Sequence, residues 1–329
     1  MMWHPPQQPV IRHRFLRQPY SLILLLLLLL ALCIFVWLVV HPPRSVFPAI
    51  PGEDAIAFES GRDPGQQIYV MRADGMYPTR LTYNVRHATG WLWFLPLIFG
   101  DLVINTAPAQ SPTGHGIIFL SNVTGDYAFY HLTLDGAKQT RLSIPAESID
   151  AVVSPDGVRV AFRTSNGGLS MTDVDGEAIR CLTCTINGFM SEPTWSPNAQ
   201  QIAFVRHVGM RDDVYTVNID GTHLTQLTNS SPGFSDQPAW SPDGKRIAFR
   251  TVSDTGQAQI YVINIDGSRL VALTNDRSAL YPAWSSDGKR IAFCSLRSGR
   301  AEIYTMNADG SEQTRLTYNG DNCRPVWVH

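Results

Sequence analysis

Few residues in this sequence have both the type and the spacing that chemistry needs. His207 and Asp212 stand five apart, and an imidazole near a carboxylate is a proton-transfer pair. Arg206 and Arg211 flank them, which makes the group equally a charged binding loop. Trp91, Trp93 and Phe94 lie in an apolar segment, residues 85–104, of the kind that meets a partner protein, a membrane surface or the protein's own body. Cys181 and Cys184 form a C-x-x-C. Other chemistry has little support. No Gly-x-Ser-x-Gly elbow occurs, the nine histidines are scattered without an H-E-x-x-H, and no Gly-rich phosphate loop opens a helix. The expectation is a binding protein with no catalytic residue, no metal and no cofactor. Its binding residues would be Trp91, Trp93, Phe94, Arg206, His207, Arg211 and Asp212.

The cysteines are five: Cys33, Cys181, Cys184, Cys294 and Cys323. An odd count with a single C-x-x-C reads as neither a disulfide framework nor a zinc site. Residues three apart in one strand point to opposite faces, so no redox role is expected of Cys181 and Cys184. Whether any two of the last four pair is left open at this point.

The elements that position these residues follow from an internal repeat. Residues 237–274 contain four short apolar runs separated by Pro242-Asp243-Gly244, a polar loop and Asp266-Gly267. Asp-Gly between apolar runs signals a tight hairpin turn, because Gly takes positive φ without steric cost. The unit recurs. Its second strand carries Phe58, Phe119, Phe162, Phe204, Phe249 and Phe293, spaced by 42–45 residues after a first gap of 61. An Asp-Gly pair and a Leu-Thr or Leu-Ser ending follow each time. The first strand holds Pro-x-Trp at Trp195, Trp240 and Trp284, and again at Trp327, where no further repeat follows. An orphan first strand at the end of the chain closes a ring if it joins the first repeat, so that no sheet edge stays open. The expected fold is all-β: a six-bladed β-propeller closed by its C-terminal strand, over residues 54–329. The Asp-Gly pairs read as turns rather than metal ligands, and the recurrent Trp, Phe and Tyr as packing between blades rather than a ligand ring. The long first gap places residues 85–104 as an insertion between blades one and two. It should lie on the face away from where the chain enters.

Hydrophobic residues are 44 % and charged residues 16 % of the chain, which excludes general disorder. The net charge of −2 gives no case for a nucleic-acid partner. Residues 21–40 are uncharged and apolar, and 20 helical residues span about 30 Å, the depth of a bilayer's hydrocarbon core. A single transmembrane signal-anchor helix is expected there. Arg12, Arg14 and Arg17 precede it, against Arg44 after it, which places a cytoplasmic tail at 1–20 and the propeller outside the cytoplasm. Residues 41–53 are a Pro-rich linker. The protein is expected in the cell membrane as a single-pass chain.

The run Trp-Ser-Pro-Asp-Gly-Lys-Arg-Ile-Ala-Phe from Trp240 to Phe249, with Ile260-Tyr261-Val262-Ile263-Asn264-Ile265-Asp266-Gly267 and Leu273-Thr274, resembles the TolB-type, WD40-like propeller repeat. The resemblance covers about residues 54–328. It implies an extracytoplasmic protein-binding scaffold, with a protein partner in the cell envelope and no catalytic residues to carry over. The alternative is a propeller enzyme, a lyase or hydrolase acting on carbohydrate or peptide at the central channel, for which His207 and Asp212 are the nearest candidates.

Overall fold

The structure, a computed structural model, describes residues 54–63, 65–82, 103–111, 116–142, 149–174, 178–229 and 233–328, together with Leu27 and Ala31. Leu27 and Ala31 are helical. They belong to a unit of their own, Met1–Arg44, and all strands belong to a second, Ser45–His329. Among the described residues no helix is long and apolar enough to cross a membrane. The rest of the expected membrane segment 21–40 lies outside the described residues, as do Trp91, Trp93 and Phe94.

The strands form six four-stranded antiparallel sheets. Blade one is β1 (Ala55–Ser60), β2 (Gln67–Arg72) and β3 (Thr79–Arg80). Blade two is β4 (Asn105–Gln110), β5 (Gly116–Ser121), β6 (Ala128–Thr133) and β7 (Gln139–Arg141). Blade three is β8 (Ile149–Val153), β9 (Arg159–Arg163), β10 (Leu169–Asp173) and β11 (Arg180–Cys181). Blade four is β12 (Phe189–Trp195), β13 (Gln201–Val208), β14 (Arg211–Asn218) and β15 (Thr225–Gln226). Blade five is β16 (Phe234–Trp240), β17 (Arg246–Val252), β18 (Ala258–Asn264) and β19 (Val271–Ala272). Blade six is β20 (Ala279–Trp284), β21 (Arg290–Ser295), β22 (Glu302–Asn307) and β23 (Thr314–Arg315). The last strand, β24 (Asn322–Val328), pairs with β1 and completes blade one. The ring therefore closes as its orphan Pro-x-Trp strand required.

Six apolar clusters fill the six gaps between blades. Phe119 packs against Ala57, Val70 and Leu81 of blade one. Phe162 packs against Ile118 and Phe129 of blade two. Phe204, Phe249, Phe293 and Phe58 repeat this contact around the ring. Each of these phenylalanines is at most 2 % exposed, so each contributes about 1.5–3 kcal/mol of burial. Three tryptophans tie their blades to the one before. Trp195 Nε1 donates to the Val152 carbonyl at 3.0 Å, Trp240 to Thr194 at 3.2 Å and Trp327 to Ala283 at 3.0 Å.

The turns carry the chemistry their sequence promised. Asp266 accepts the Ser268 N–H at 2.9 Å and Asp309 the Ser311 N–H at 2.9 Å, as an Asx turn does. The Leu-Thr endings have two jobs. Leu273 and Leu316 enter the interblade clusters, while Thr274 Oγ1 and Thr317 Oγ1 accept the N–H groups of Ile260 and Ile303 at 2.9 Å.

Two expectations are corrected. From the sequence, the first strand of the fifth repeat is expected at residues 238–241, but it begins at Phe234. Proline donates no N–H, so it reads as a strand boundary. Here a bulge between Asp236 and Ala239 takes Pro238 out of the ladder and lets the strand run on either side.

The second correction concerns the cysteines. Two disulfides are present, Cys181–Cys184 and Cys294–Cys323. Alternation separates residues three apart only while the strand lasts. Strand β11 ends at Cys181, and a turn closed by Ile186 N–H to the Thr183 carbonyl at 3.0 Å returns Cys184 to its partner. Cys294 and Cys323 are 29 residues apart in sequence but meet where blade six packs against the closing strand.

Candidate functional site: the channel collar and the blade-four relay

The six inner strands β4, β8, β12, β16, β20 and β24 surround a central channel. Each is interrupted by a bulge. At each bulge one residue other than glycine is left-handed: Ala107 (φ 52°), Asp150 (52°), Glu192 (51°), Gln237 (55°), Tyr281 (51°) and Arg324 (50°). This conformation costs about 1–3 kcal/mol per residue, and it is repeated around the ring. All six line a cavity of about 270 Å³ within the channel. They form a collar.

The collar links blade to blade. Glu192 Oε2 accepts the Gln237 N–H at 2.6 Å, and Gln237 Oε1 accepts the Tyr281 N–H at 2.7 Å. Arg324 Nη2 donates to the Tyr281 hydroxyl at 3.2 Å and its guanidinium lies 4.7 Å from the ring centre. Glu59, on β1, accepts the Ala107 N–H and the Thr106 hydroxyl at 2.5 Å, and lies 3.6 Å from Arg324 Nε.

The charges are unevenly placed. Asp150, Glu192 and Asp236 lie on blades three to five, while on blade one Arg324 is matched by Glu59. Burial pushes the Glu192 carboxyl up to about 7, helped by the negative charge of Asp236 and, more weakly, Asp150; the Gln237 N–H and Arg250 oppose the shift. Burial also raises Asp236, against the hydrogen bond and charge of Arg250. Asp236 meets Arg250 through a two-point ion pair, with 2.6 Å between Nε and Oδ1.

Beside Glu192 stands a second group. Ser191 Oγ is 2.6 Å from His207 Nε2, and His207 Nδ1 is 2.6 Å from Asp212 Oδ1. Ser191 is on β12, His207 on β13 and Asp212 on β14, where His207 and Asp212 are direct cross-strand partners. The Phe189 ring centroid is 5.4 Å from that of His207.

Of the residues singled out from sequence, the structure thus brings His207 and Asp212 together. Arg206 points elsewhere: it donates to the Asn187 carbonyl at 2.8 Å and lies over the Tyr215 ring. Arg211 is at the exposed start of β14. Sequence reasoning missed Ser191 and the whole collar. A signal existed, because Glu192, Gln237, Tyr281 and Arg324 are the residues immediately before the Pro of each Pro-x-Trp strand. They vary in chemistry where the rest of the repeat does not.

The antiparallel order sorts the loops onto two rims. Asp54, where the described chain enters the propeller, receives a hydrogen bond from Ser286 at 2.7 Å, in the first-to-second-strand turn of blade six. The β13–β14 hairpin and the start of β4, after residues 85–104, are on the opposite rim. At that hairpin Met210 is fully exposed, with Val208 44 % and Phe189 41 % exposed.

Among curated proteins, the chain is 28 % identical over 160 residues to an uncharacterised protein of Agrobacterium fabrum, a match over 44 % of this chain and 49 % of that one. The chain spans about half the length of the curated relative it matches. Among solved structures it is similar to TolB from Acinetobacter baumannii, with a TM-score of 0.67 and 20 % identity, over 85 % of this chain and 68 % of that one. It is also similar to a chain of the nidogen/laminin complex, with a TM-score of 0.61 and 12 % identity, over 84 % of this chain and 98 % of that one. Identities this low speak for the fold alone. The TolB β-propeller domain model matches residues 97–231 and 165–329, more than half of the sequence. On that match the chain belongs to the TolB β-propeller family.

Proposed function

We propose that this protein is a membrane-anchored, extracytoplasmic propeller that holds a protein partner in the cell envelope. The observation that carries the binding role is the apolar tip of blade four, where Phe189, Val208 and Met210 are exposed together on one rim. Adjacent exposed apolar side chains favour a partner over water. Trp91, Trp93 and Phe94, in the insertion that precedes β4, would extend the same rim. The family supports a binding scaffold in general terms.

Two features support the location. Residues 21–40 have the length and apolarity of a spanning helix. The four cysteines that follow it are joined in two disulfides, which persist outside the cytoplasm and are rare within it.

A photo-crosslinking residue at position 210, in cells making the full chain, tests the binding role. One discrete adduct is expected, and it should disappear in a Phe189→Asp, Val208→Asp variant. A Met210 site that forms no adduct, or one unaffected by those changes, sinks the reading. Protease added to spheroplasts should remove the propeller and leave a short membrane-embedded fragment. Full protection of the propeller would refute the topology.

A further inference from the structure

We propose that Ser191, His207 and Asp212 form a nucleophilic relay that hydrolyses carboxylic esters at the channel mouth, an activity beyond the binding role.

The geometry assigns the protons. An ionised carboxylate only accepts hydrogen bonds. Asp212 at 2.6 Å therefore fixes the His207 proton on Nδ1. Nε2 is left with its lone pair facing the Ser191 hydroxyl at 2.6 Å. The imidazole is thus held in the tautomer that takes a proton from Ser191 Oγ, with a carboxylate behind it to stabilise the imidazolium. The three residues sit on three neighbouring strands of one sheet, so backbone pairing fixes their spacing.

The repeat does not require this arrangement. The matching positions of blade five are Asp236, Val252 and Ala258, by the register of β16, β17 and β18. Strands β13 and β14 are also eight residues long, while the other described strands have at most seven. The added length carries the His207–Asp212 pair. Blade four departs from the common pattern where the relay stands.

The relay is open to solvent and stands next to the channel. The His207 and Asp212 side chains are 30 % and 29 % exposed, and Ser191 is half-buried. The next two residues, Glu192 and Pro193, line the 270 Å³ cavity, whose other walls include Ile118, Leu120, Phe129 and Val152. The relay borders this cavity through those two residues rather than lining it. An ester suits the relay better than an amide, since its alkoxide leaves without prior protonation of nitrogen.

The step balances with water as the only co-reactant. Ser191 Oγ bonds to the carbonyl carbon while its proton passes to His207 Nε2. The carbon–oxygen bond to the alcohol breaks, and the alcohol leaves with that proton. Water then attacks the acyl-Ser191 ester, gives one proton to His207, and releases the acid as that proton returns to Ser191 Oγ.

The test uses the full chain in detergent micelles with a fluorophosphonate probe and p-nitrophenyl butyrate. Mass spectrometry of the labelled wild-type protein should find the phosphonyl adduct on Ser191. Ser191→Ala should lose ester hydrolysis by at least about 100-fold, and His207→Gln by a similar factor. A wild-type protein with no adduct on Ser191 overturns the proposal without any variant. Hydrolysis unchanged in Ser191→Ala, with the adduct on other residues, overturns it as well.

Discussion

Cys294 and Cys323 join two blades rather than two strands of one. Cys294 is on β21 of blade six and fully buried, while Cys323 is on β24, the strand that closes blade one. Hydrogen bonds hold β24 to β1, and apolar contacts hold it to blade six through Trp327. The disulfide adds a covalent link at the one seam where the ring is closed by chain ends. In the chain-entropy view, a loop closed across 29 residues is worth about 3.5 kcal/mol, and one closed across three about 2 kcal/mol. Cys294→Ser with Cys323→Ser should therefore lower stability in urea by more than Cys181→Ser with Cys184→Ser. The reverse order would show that the seam does not depend on the bond.

Glu192 gives the propeller a pH dependence of definite sign. Its carboxyl titrates near 7 in the fold, against an ordinary value of 4.5, chiefly because it is buried. A raised carboxyl favours the folded state while protonated. That contribution is complete below about pH 4.5 and is lost as pH rises through 7. The substitution Glu192→Gln keeps a side-chain oxygen to accept the Gln237 N–H and removes the charge. The Glu192→Gln protein should match wild type near pH 4.5 and exceed it by about 1–3 kcal/mol at pH 8. Parallel stability curves from pH 4.5 to 8 would refute the burial of a charge at this position.

Much of this fold could be read from the sequence because its determinants are local and repeated. Phe249 and Tyr261 are cross-strand partners with ring centroids 6.1 Å apart, and the same pairing recurs as Phe58–Tyr69 and Phe293–Tyr304. Where Ser170 replaces the tyrosine opposite Phe162, the strand still forms, because pairing and burial on the other face persist. The collar was not legible for a physical reason. A left-handed residue before proline runs against the usual preference of that position for extended backbone, so backbone preference does not announce Glu192 or Arg324 as pointing into a channel, and only their variation from repeat to repeat sets them apart. Ser191 was hidden likewise. It lies 16 residues from His207, and only the pairing of β12 with β13 brings the two together. The Cys294–Cys323 pair depends on ring closure and has no local signature at all.

The tryptophans allow a comparison within one molecule. Trp240 and Trp327 each donate an indole N–H to the preceding blade, whereas Trp284 Nε1 is buried without a partner. Phenylalanine keeps most of the ring and removes only the N–H. Trp240→Phe and Trp327→Phe should each cost about 1 kcal/mol more than their loss of area, because a carbonyl is left unpaired. Trp284→Phe removes an unsatisfied buried donor and should cost less than either. Equal losses at the three positions, measured by urea unfolding, would show that the indole bonds contribute nothing.

The third-to-fourth-strand turns separate conformational strain from contact. Gly267 and Gly310 are both left-handed, with φ of 80° and 88°. A Cβ at 267 meets nothing within 4 Å, while a Cβ at 310 would lie 2.6 Å from the Leu273 carbonyl oxygen of the neighbouring blade. Gly267→Ala bears only the left-handed penalty, about 1 kcal/mol. Gly310→Ala bears that penalty and must also push its turn off blade five, against the packing of Leu273 in the gap between the blades. It should lose at least about 2 kcal/mol. Gly310 is thus retained for the approach of two blades, Gly267 for its turn alone. Equal losses in the two variants would show that the blades separate freely at this seam.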